Sequence, residues 1–578
     1  MSSIDTIPSL STLLEAEQHQ PWALQPVSHL VRLLAQTARL LVQHAEQWAE
    51  ETARRMDVTP GEVWLETIFP ALWGVLNTIQ GLSESRHVAS RRMQRRDAAL
   101  YPGFDAVRIL PANRLEARLL PGFTGHVLLD PDALAAAGKR WSTPSNPAES
   151  TSTVSAASQT PPRGPLALCL LPFNLASIGL LDIIDLLCRR RFRVVAKISE
   201  KVEFSGPYLE KILDPFIREG ALQLAYGGGE VGAALVQRME FEAVHLTGST
   251  ATARAVEGMV GHERLTCELG GVTPAVVLPD ALSTEERLRH TARQVAFGAL
   301  ANNGQHCVSY QVVIVPRSGL PGFEQVLWLE MRHVATRSQT LGQRQVVDAV
   351  GAEKVRTIVS DALDKGAKRW QVGRDDGRAV PVTLISGVTR EMRLFREEIF
   401  GPVVGTLALE DADFSESAFQ LANCNELAGD LGASIFTANP AEPSVRRMAA
   451  QLKHGIVTIN TYPGVVFSTS LPWGAGPLGL SGHGWVHNYF LLPESALRKV
   501  VLSTELGRKG YGPICWEDPW LLNVTGPVSV DFGRNLLRLA VAYFEKQPLQ
   551  ALQSQLGVVI ALARREWQSR SQDRASHY

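Results

Sequence analysis

Cysteine is scarce in this chain. The 578 residues include six, Cys169, Cys188, Cys267, Cys307, Cys424 and Cys515, and no two form a C-x-x-C pair. That spacing argues against a clustered-cysteine zinc site and a secreted disulfide framework, and for free thiols in a reducing compartment. No uninterrupted apolar run approaches the roughly 20 residues that span a bilayer, so no transmembrane segment is predicted. The opening "MSSIDTIPSL" lacks a basic start leading into an apolar run, so no signal peptide is predicted and the cytoplasm is the expected compartment. Charge of one sign is not in excess either. With 57 Lys and Arg against 58 Asp and Glu, there is no electrostatic reason to expect nucleic acid or an anionic membrane as a partner. A solenoid-type repeat is missing too.

What is present is length and alternation. A chain of 578 residues exceeds one ordinary hydrophobic core, so two or three domains are expected. Residues 28–56 place Leu30, Leu33, Leu34, Ala38, Leu41 and Ala45 on one helical stripe with charges opposite, which predicts a scaffolding helix. Residues 141–163 are nearly all Ser, Thr, Pro and Ala. They cannot bury enough apolar surface to offset ordering entropy, and read as a flexible insertion between the strand-like segments "RLEARLLPGFTGHVLLD" and "GPLALCLLPFN". From Leu166 the pattern turns α/β. "LALCLL", "FRVVAKI", "ALQLAYGG" and "FEAVHLTGS" alternate with helical stretches, predicting a doubly wound parallel sheet with ligands at the carboxyl ends of its strands. A second α/β half follows, with "PAVVLP", "YQVVIVP" and "ASIFTA" as strands.

Three side chains in this frame have chemistry to offer. Cys307, in "ANNGQHCVSY", follows a Gly-Gln turn between a long helical segment and a strand, where backbone N–H groups can stabilise a thiolate. Taken alone it competes with the commoner buried structural cysteine. Glu268, in "CELGGVTP", lies beside a Gly-Gly turn and is a candidate general base. Asn174, ending "LPFN" just after an apolar strand, is placed either to donate to a developing oxyanion or to cap the following helix.

Taken in order, "LPFN", "VVAKISE", "GGGEVGAAL", "LTGST", "CELGG", "NNGQHC", "EEIFGPV", "GIVTIN" and "PWGAGPLGLSGHG" resemble the aldehyde dehydrogenase superfamily over roughly residues 100 to 502. The resemblance implies a Rossmann-type cofactor domain, an α/β catalytic domain and a β oligomerisation arm. It divides the chain into residues 1–270 (helical region and dinucleotide-binding domain), 271–470 (catalytic domain), 471–502 (return to the cofactor domain and arm strand) and 503–578 (helical extension). It assigns Cys307 as nucleophile, Glu268 as general base and Asn174 as oxyanion donor. Lys197 and Glu200 match adenosine-ribose positions, Gly228 and Gly232 the nucleotide-binding turn, Gly248 and Ser249 the helix start near the pyrophosphate, and Glu398 and Phe400 the nicotinamide ribose and ring. Because a carboxylate at Glu200 would repel a 2′-phosphate, NAD is expected ahead of NADP. The implied reaction oxidises an aldehyde to a carboxylic acid through a thiohemiacetal and thioester, with no metal. The implied assembly is a homodimer or homotetramer.

The departures from the family pattern lie around the site. Arg191 and Phe192 replace a usual Gly-Asn, Ile198 a proline, Val272 a lysine, Phe173 a tryptophan and Val312 an arginine. They predict altered efficiency or cofactor affinity before an altered fold. A CoA-acylating relative and a catalytically impaired scaffold are the alternatives, and retention of Glu268 with Cys307 and Asn174 weighs against both. Trp473 and Trp516 hint at an apolar or aromatic aldehyde. In the extension, two helices broken near Pro548 are expected to form a hairpin over the catalytic domain or a neighbouring subunit.

Overall fold

The computed structural model describes residues 21–56, 58, 60–83, 96–141, 165–238, 240–337, 348–474, 479–487, 492–506, 527–544 and 553–554. The 142–163 part of the predicted insertion, Trp516 and, apart from 553–554, the helix predicted beyond Pro548 lie outside the described residues.

Two large sheets organise the described residues, beside a two-stranded ribbon of Trp473–Gly474 and Trp485–Val486. The smaller has six strands in the spatial order Gly482–His483, Leu265–Leu269, Ala243–Gly248, Leu166–Leu170, Arg193–Lys197 and Leu222–Ala225. The last five are parallel, and in chain order they run 5-4-1-2-3 across the sheet. This is the doubly wound arrangement, and its switch point lies between Leu166–Leu170 and Ala243–Gly248. Leu166–Leu170 is apolar and buried along its length, and Ala243–Gly248 is buried over Val244–Leu246, because helices cover both faces.

The larger sheet has ten strands. Its parallel centre runs Leu497–Ser503, Ile456–Ile459, Gly432–Phe436, Thr273–Val277, Tyr310–Pro316, Val403–Leu409 and Val382–Ser386, and antiparallel strands complete both sides. The predicted arm strands are there, as Asp105–Leu110, Thr124–Leu129 and Leu497–Ser503, and in this chain they pair with their own catalytic sheet. So two strands from the predicted N-terminal cofactor half belong to the larger sheet. The chain crosses between the sheets at Gly270–Gly271, directly after the strand that carries Glu268.

One flank of the insertion differs from expectation. The "RLEARL" stretch is a helix, Arg114–Leu119, not a strand. Asn113 caps it by accepting from the Glu116 N–H, and the buried Glu116 carboxylate accepts from the Ser470 N–H at 2.8 Å. Capping of this kind outweighs the β-like apolar pattern. A second helix, Pro131–Trp141, follows the Thr124–Leu129 strand, so helix rather than strand leads into the insertion.

The scaffolding helix is Val27–Met56, and its predicted stripe is buried together with Trp48. It packs on helix Phe69–Ser83 and on helix Gly206–Arg218 of the cofactor sheet. Helix Pro527–Phe544 of the extension closes against the same N-terminal unit, with Gly533 lying on Trp64. Among the described residues no helix is long and apolar enough to cross a membrane, and Cys169, Cys188, Cys267, Cys307 and Cys424 are free thiols.

Candidate active site

The loop that carries Cys307 joins helix Glu285–Leu300 to strand Tyr310–Pro316. Asn302, Asn303 and Gly304 take three successive left-handed conformations, with φ of 47°, 56° and 70°. Asn and Gly adopt that region at least cost, which explains "NNG" at this turn. A Cβ on Gly304 would stand 2.1 Å from the Gly401 carbonyl oxygen, so the "NNGQHC" and "EEIFGPV" segments touch there. Gly270 does the same for the "CELGG" turn, because a Cβ on it would lie 1.8 Å from a Glu398 carboxylate oxygen. The glycines thus bring Cys307, Glu268 and Glu398 to one place between the sheets.

The electrostatics agree with that proximity. Burial pushes the Cys307 thiol well up, and the charges of Glu398 and Glu268 push it further, while the N–H groups of Cys307 and Val308 oppose them. Burial also holds the Glu268 carboxyl well above the usual range. Asp182 and Asp185 add to the rise, and Arg190 and the Trp473 indole oppose it. Neither Glu268 oxygen has a hydrogen-bond partner; Trp473 therefore acts as a nearby dipole and not as a formed bond. Glu398 is pushed up to about 7 by burial, against Lys354 and the Gly271 N–H, and its Oε1 is buried without a partner.

Asn174 follows strand Leu166–Leu170 at the switch point. Its amide donates to the Gln305 carbonyl at 3.0 Å, which leaves a second N–H on the same nitrogen. The Asn302 amide in turn donates to the Asn174 carbonyl at 3.2 Å. Asn174 is therefore bound to the loop that carries Cys307, and the helix that follows starts at Ala176 with no side-chain cap.

The residues matched to the cofactor gather along the carboxyl ends of the smaller sheet. Lys197 ends its strand, its pKa lowered by burial against the attraction of Glu200, Glu203 and Glu230. Gly228 is the N-cap of helix Gly229–Val236, and a Cβ there would meet carboxylate oxygens of Glu230 at 2.5 Å and Glu200 at 2.8 Å. Gly232 lies inside that helix, with open space beside it. Gly248 ends its strand, and Ser249 caps helix Thr250–Val260 by accepting from the Thr252 N–H. Phe400 is left-handed at φ 55° and meets Phe173 edge-on at 6.0 Å. A dinucleotide fits this crevice. Two helix starts offer free N–H groups to a pyrophosphate, and the unpartnered Glu398 oxygen offers an acceptor to a hydroxyl.

Several participants were not legible in the sequence. The buried side chain of Gln311 donates to the Leu394 and Glu397 carbonyls, both at 2.6 Å, and accepts from the Ile399 N–H at 2.8 Å, so it holds the loop that carries Glu398 and Phe400. Glu66, in the π-helical turn Trp64–Ile68, accepts from the Asn302 N–H at 3.3 Å and is pushed up to about 7 by burial. His306 shares a 2.9 Å hydrogen bond with the Tyr462 hydroxyl, and burial lowers it to about 4. Behind Glu268, buried Asp182 binds Thr247 at 2.8 Å and His487 at 3.2 Å; Thr247 is the ladder partner of Glu268. No sequence spacing links these residues, because each arrives from a different segment.

With this geometry in hand, residues 133–487 match the family model described as the aldehyde dehydrogenase family, and the chain belongs to that family. Among curated relatives, vanillin dehydrogenase of Pseudomonas sp. is 32% identical over 307 residues, covering 50% of this chain and 59% of that protein. The NAD(+) benzaldehyde dehydrogenase of Pseudomonas putida is 29% identical over 276 residues, covering 47% of this chain and 54% of the relative. The chain thus spans little more than half the length of these relatives. Among solved structures, a Mycobacterium tuberculosis aldehyde dehydrogenase complexed with NAD+ superposes with a TM-score of 0.63 at 17% identity, covering 87% of this chain and 90% of that one. That likeness establishes the fold.

Proposed function

We propose that the protein is an NAD(P)-dependent aldehyde dehydrogenase acting on aromatic aldehydes. The observation that carries this reading is the meeting of Cys307, Glu268 and Glu398 at the crossover between the two sheets, with Asn174 tied to the same loop.

In this mechanism the Cys307 sulfur, once deprotonated, attacks the aldehyde carbon. The N–H groups of Cys307 and Val308 stabilise the thiolate beforehand. The free N–H of Asn174 and the backbone N–H of Cys307 then receive the oxyanion. Lys197, Glu200, Gly228, Gly232, Gly248, Ser249, Glu398 and Phe400 hold the dinucleotide, with NAD favoured because Glu200 presents a carboxylate beside Gly228. When bound, the nicotinamide supplies the hydride acceptor. Loss of hydride turns the thiohemiacetal into a thioester on Cys307. Glu268, ionised, takes a proton from water, and the resulting hydroxide attacks the thioester carbon and releases the acid and the thiol. The sum is aldehyde, water and oxidised dinucleotide giving carboxylate, reduced dinucleotide and two protons.

Aromatic substrates are supported by the rings near Glu268. Phe467 meets Trp473 edge-on at 5.5 Å and lies 5.6 Å from His487, and the relatives named above are vanillin and benzaldehyde dehydrogenases. Free thiols support a cytoplasmic setting. A homodimer or homotetramer is supported by the arm strands, since exchanging Leu497–Ser503 between copies preserves the pairing made here within one chain. Light scattering on the purified protein tests that assembly.

The deciding assay follows reduced dinucleotide on benzaldehyde, vanillin and aliphatic aldehydes, with and without CoA. Turnover on the aromatic members that needs Cys307 and Glu268 and ignores CoA is expected. Turnover that requires CoA would assign the thioester to acyl transfer, and an inactive protein that binds no dinucleotide would leave a scaffold.

A further inference from the structure

We propose that Glu257, His262 and His483 form a binding site for a borderline divalent cation of the zinc class, at the edge of the smaller sheet and apart from the catalytic residues.

Glu257 stands in the last turn of helix Thr250–Val260. Gly261 follows in a left-handed conformation at φ 80° with open space around it, and it turns the chain so that His262 faces back on Glu257. The His262 Nδ1 lies 2.8 Å from the Glu257 Oε1. The third group comes from far along the chain. His483 lies on the two-residue strand Gly482–His483, which pairs antiparallel with strand Leu265–Leu269 and sets His483 opposite Cys267.

Its position is fixed on both sides. Gly482 and Gly484 have φ of 115° and 93°, and a Cβ on Gly482 would fall 2.0 Å from the Cys267 carbonyl oxygen. No larger residue fits there, so the backbone of His483 is held close on the ladder. The two imidazole rings are 4.3 Å apart at 45°, and one ligand atom from each of the three side chains lies within 4.8 Å of the others.

Two imidazoles and one carboxylate are the donor set of a zinc site that leaves the fourth position to water. Hard cations such as magnesium and calcium prefer all-oxygen shells, so they are poor candidates. With bonds of about 2.1 Å, tetrahedral donors sit roughly 3.4 Å apart. Closure by rotamer changes of about 1 Å is open to exposed His262 and half-buried Glu257. The hydrogen bond between His262 and Glu257 is what the ion would displace. A bound ion would fasten three segments into one edge, including Gly482, the ladder partner of Glu268.

The experiment uses the full chain with Cys307→Ala, so that the thiol of the active-site loop does not compete. Zinc binding is measured by calorimetry and cobalt binding by visible absorption. Saturable binding of one ion with a tetrahedral cobalt spectrum is expected. Adding His262→Ala should weaken it at least about tenfold, and zinc should raise Tm in the parent and not in that variant. Since His262 is exposed, the variant should fold, and Glu257→Gln provides a second test. The proposal is overturned if the parent shows no saturable binding, or if affinity is unchanged in both variants. Neither readout depends on aldehyde turnover.

Discussion

Gly304→Ala should damage the reaction far more than the fold. The added Cβ would stand 2.1 Å from the Gly401 carbonyl oxygen and 2.4 Å from its carbon. Contacts between a Cβ and backbone rarely fall below about 3.0 Å, so the loops must part by 3.0 − 2.1 = 0.9 Å. The left-handed φ of 70° adds about 1 kcal/mol for a residue with a side chain. Cys307 is three residues along this loop, and Glu398 three residues back from Gly401. A displacement near 1 Å between reacting groups costs on the order of a hundredfold in rate. The expected outcome is kcat lowered about a hundredfold with Tm reduced by only a few degrees. Gly258→Ala is the control, because its Cβ meets nothing within 4 Å. Steady-state formation of reduced dinucleotide provides the rate, and thermal unfolding the stability. If Gly304→Ala keeps kcat within about twofold of the parent, loop contact does not set the catalytic geometry and the reasoning fails.

Cys307→Ala should abolish turnover, whereas Glu268→Gln should still give a burst of reduced dinucleotide with little turnover after it; stopped-flow absorbance distinguishes the two. Activity should rise with pH through and above neutrality, because burial holds the protons of both Cys307 and Glu268; a rate falling over that range contradicts the assignment. Glu66 binds its proton more tightly folded, at about 7, than the usual 4.5. Its contribution is therefore fully present below the unfolded pKa and is lost as pH rises through about 7, so Glu66→Gln should match the parent near pH 5 and exceed it by a few kcal/mol above neutrality in denaturant titrations. Gln311→Ala leaves the Leu394 and Glu397 carbonyls without their donor, which costs about 1–3 kcal/mol, and should raise KM for the dinucleotide more than it lowers kcat.

The fold was largely legible because its signals are local. Short apolar runs alternating with helical stretches gave both parallel sheets, and the turn glycines around Glu268 and Cys307 marked where the chain reverses. The arm was legible as strands, but not in its choice of partner, since periodicity does not say which sheet edge a strand joins. The helix at "RLEARL" is not legible in its apolar pattern, because what selects it is the Asn113 cap together with the long-range contact of Glu116 with Ser470. Gln311 shows the limit at the site. It stands one residue before Val312, where the family arginine is missing, and nothing in "SYQVV" indicates that its amide grips a loop some eighty residues away.

The departure at Arg191 has a physical explanation, which is that the N-terminal helical unit supports the turn it occupies. Arg191 occupies the left-handed turn where the family commonly has Gly-Asn, at φ 63°, and its guanidinium donates to the Gln25 carbonyl at 3.1 Å. A strained arginine is tolerable when such a contact holds it. The Trp22 indole donates to the Leu187 carbonyl at 3.1 Å, just before that turn. Of the remaining replacements, Phe192, Ile198, Val272 and Val312 are apolar and lie in the core, and Phe173 is half-buried against it. From the other end of the same unit, Glu66 reaches the loop that carries Cys307, and helix Pro527–Phe544 packs behind the turn that presents it. Segments before and after the matched span of 133–487 therefore support both the turn before strand Arg193–Lys197 and the loop that carries Cys307. A chain cut to the matched span would lose the N-terminal helical unit, strip cover from helix Gly206–Arg218, and leave Arg191 strained without its Gln25 acceptor. It should be insoluble or inactive even with every matched catalytic residue in place.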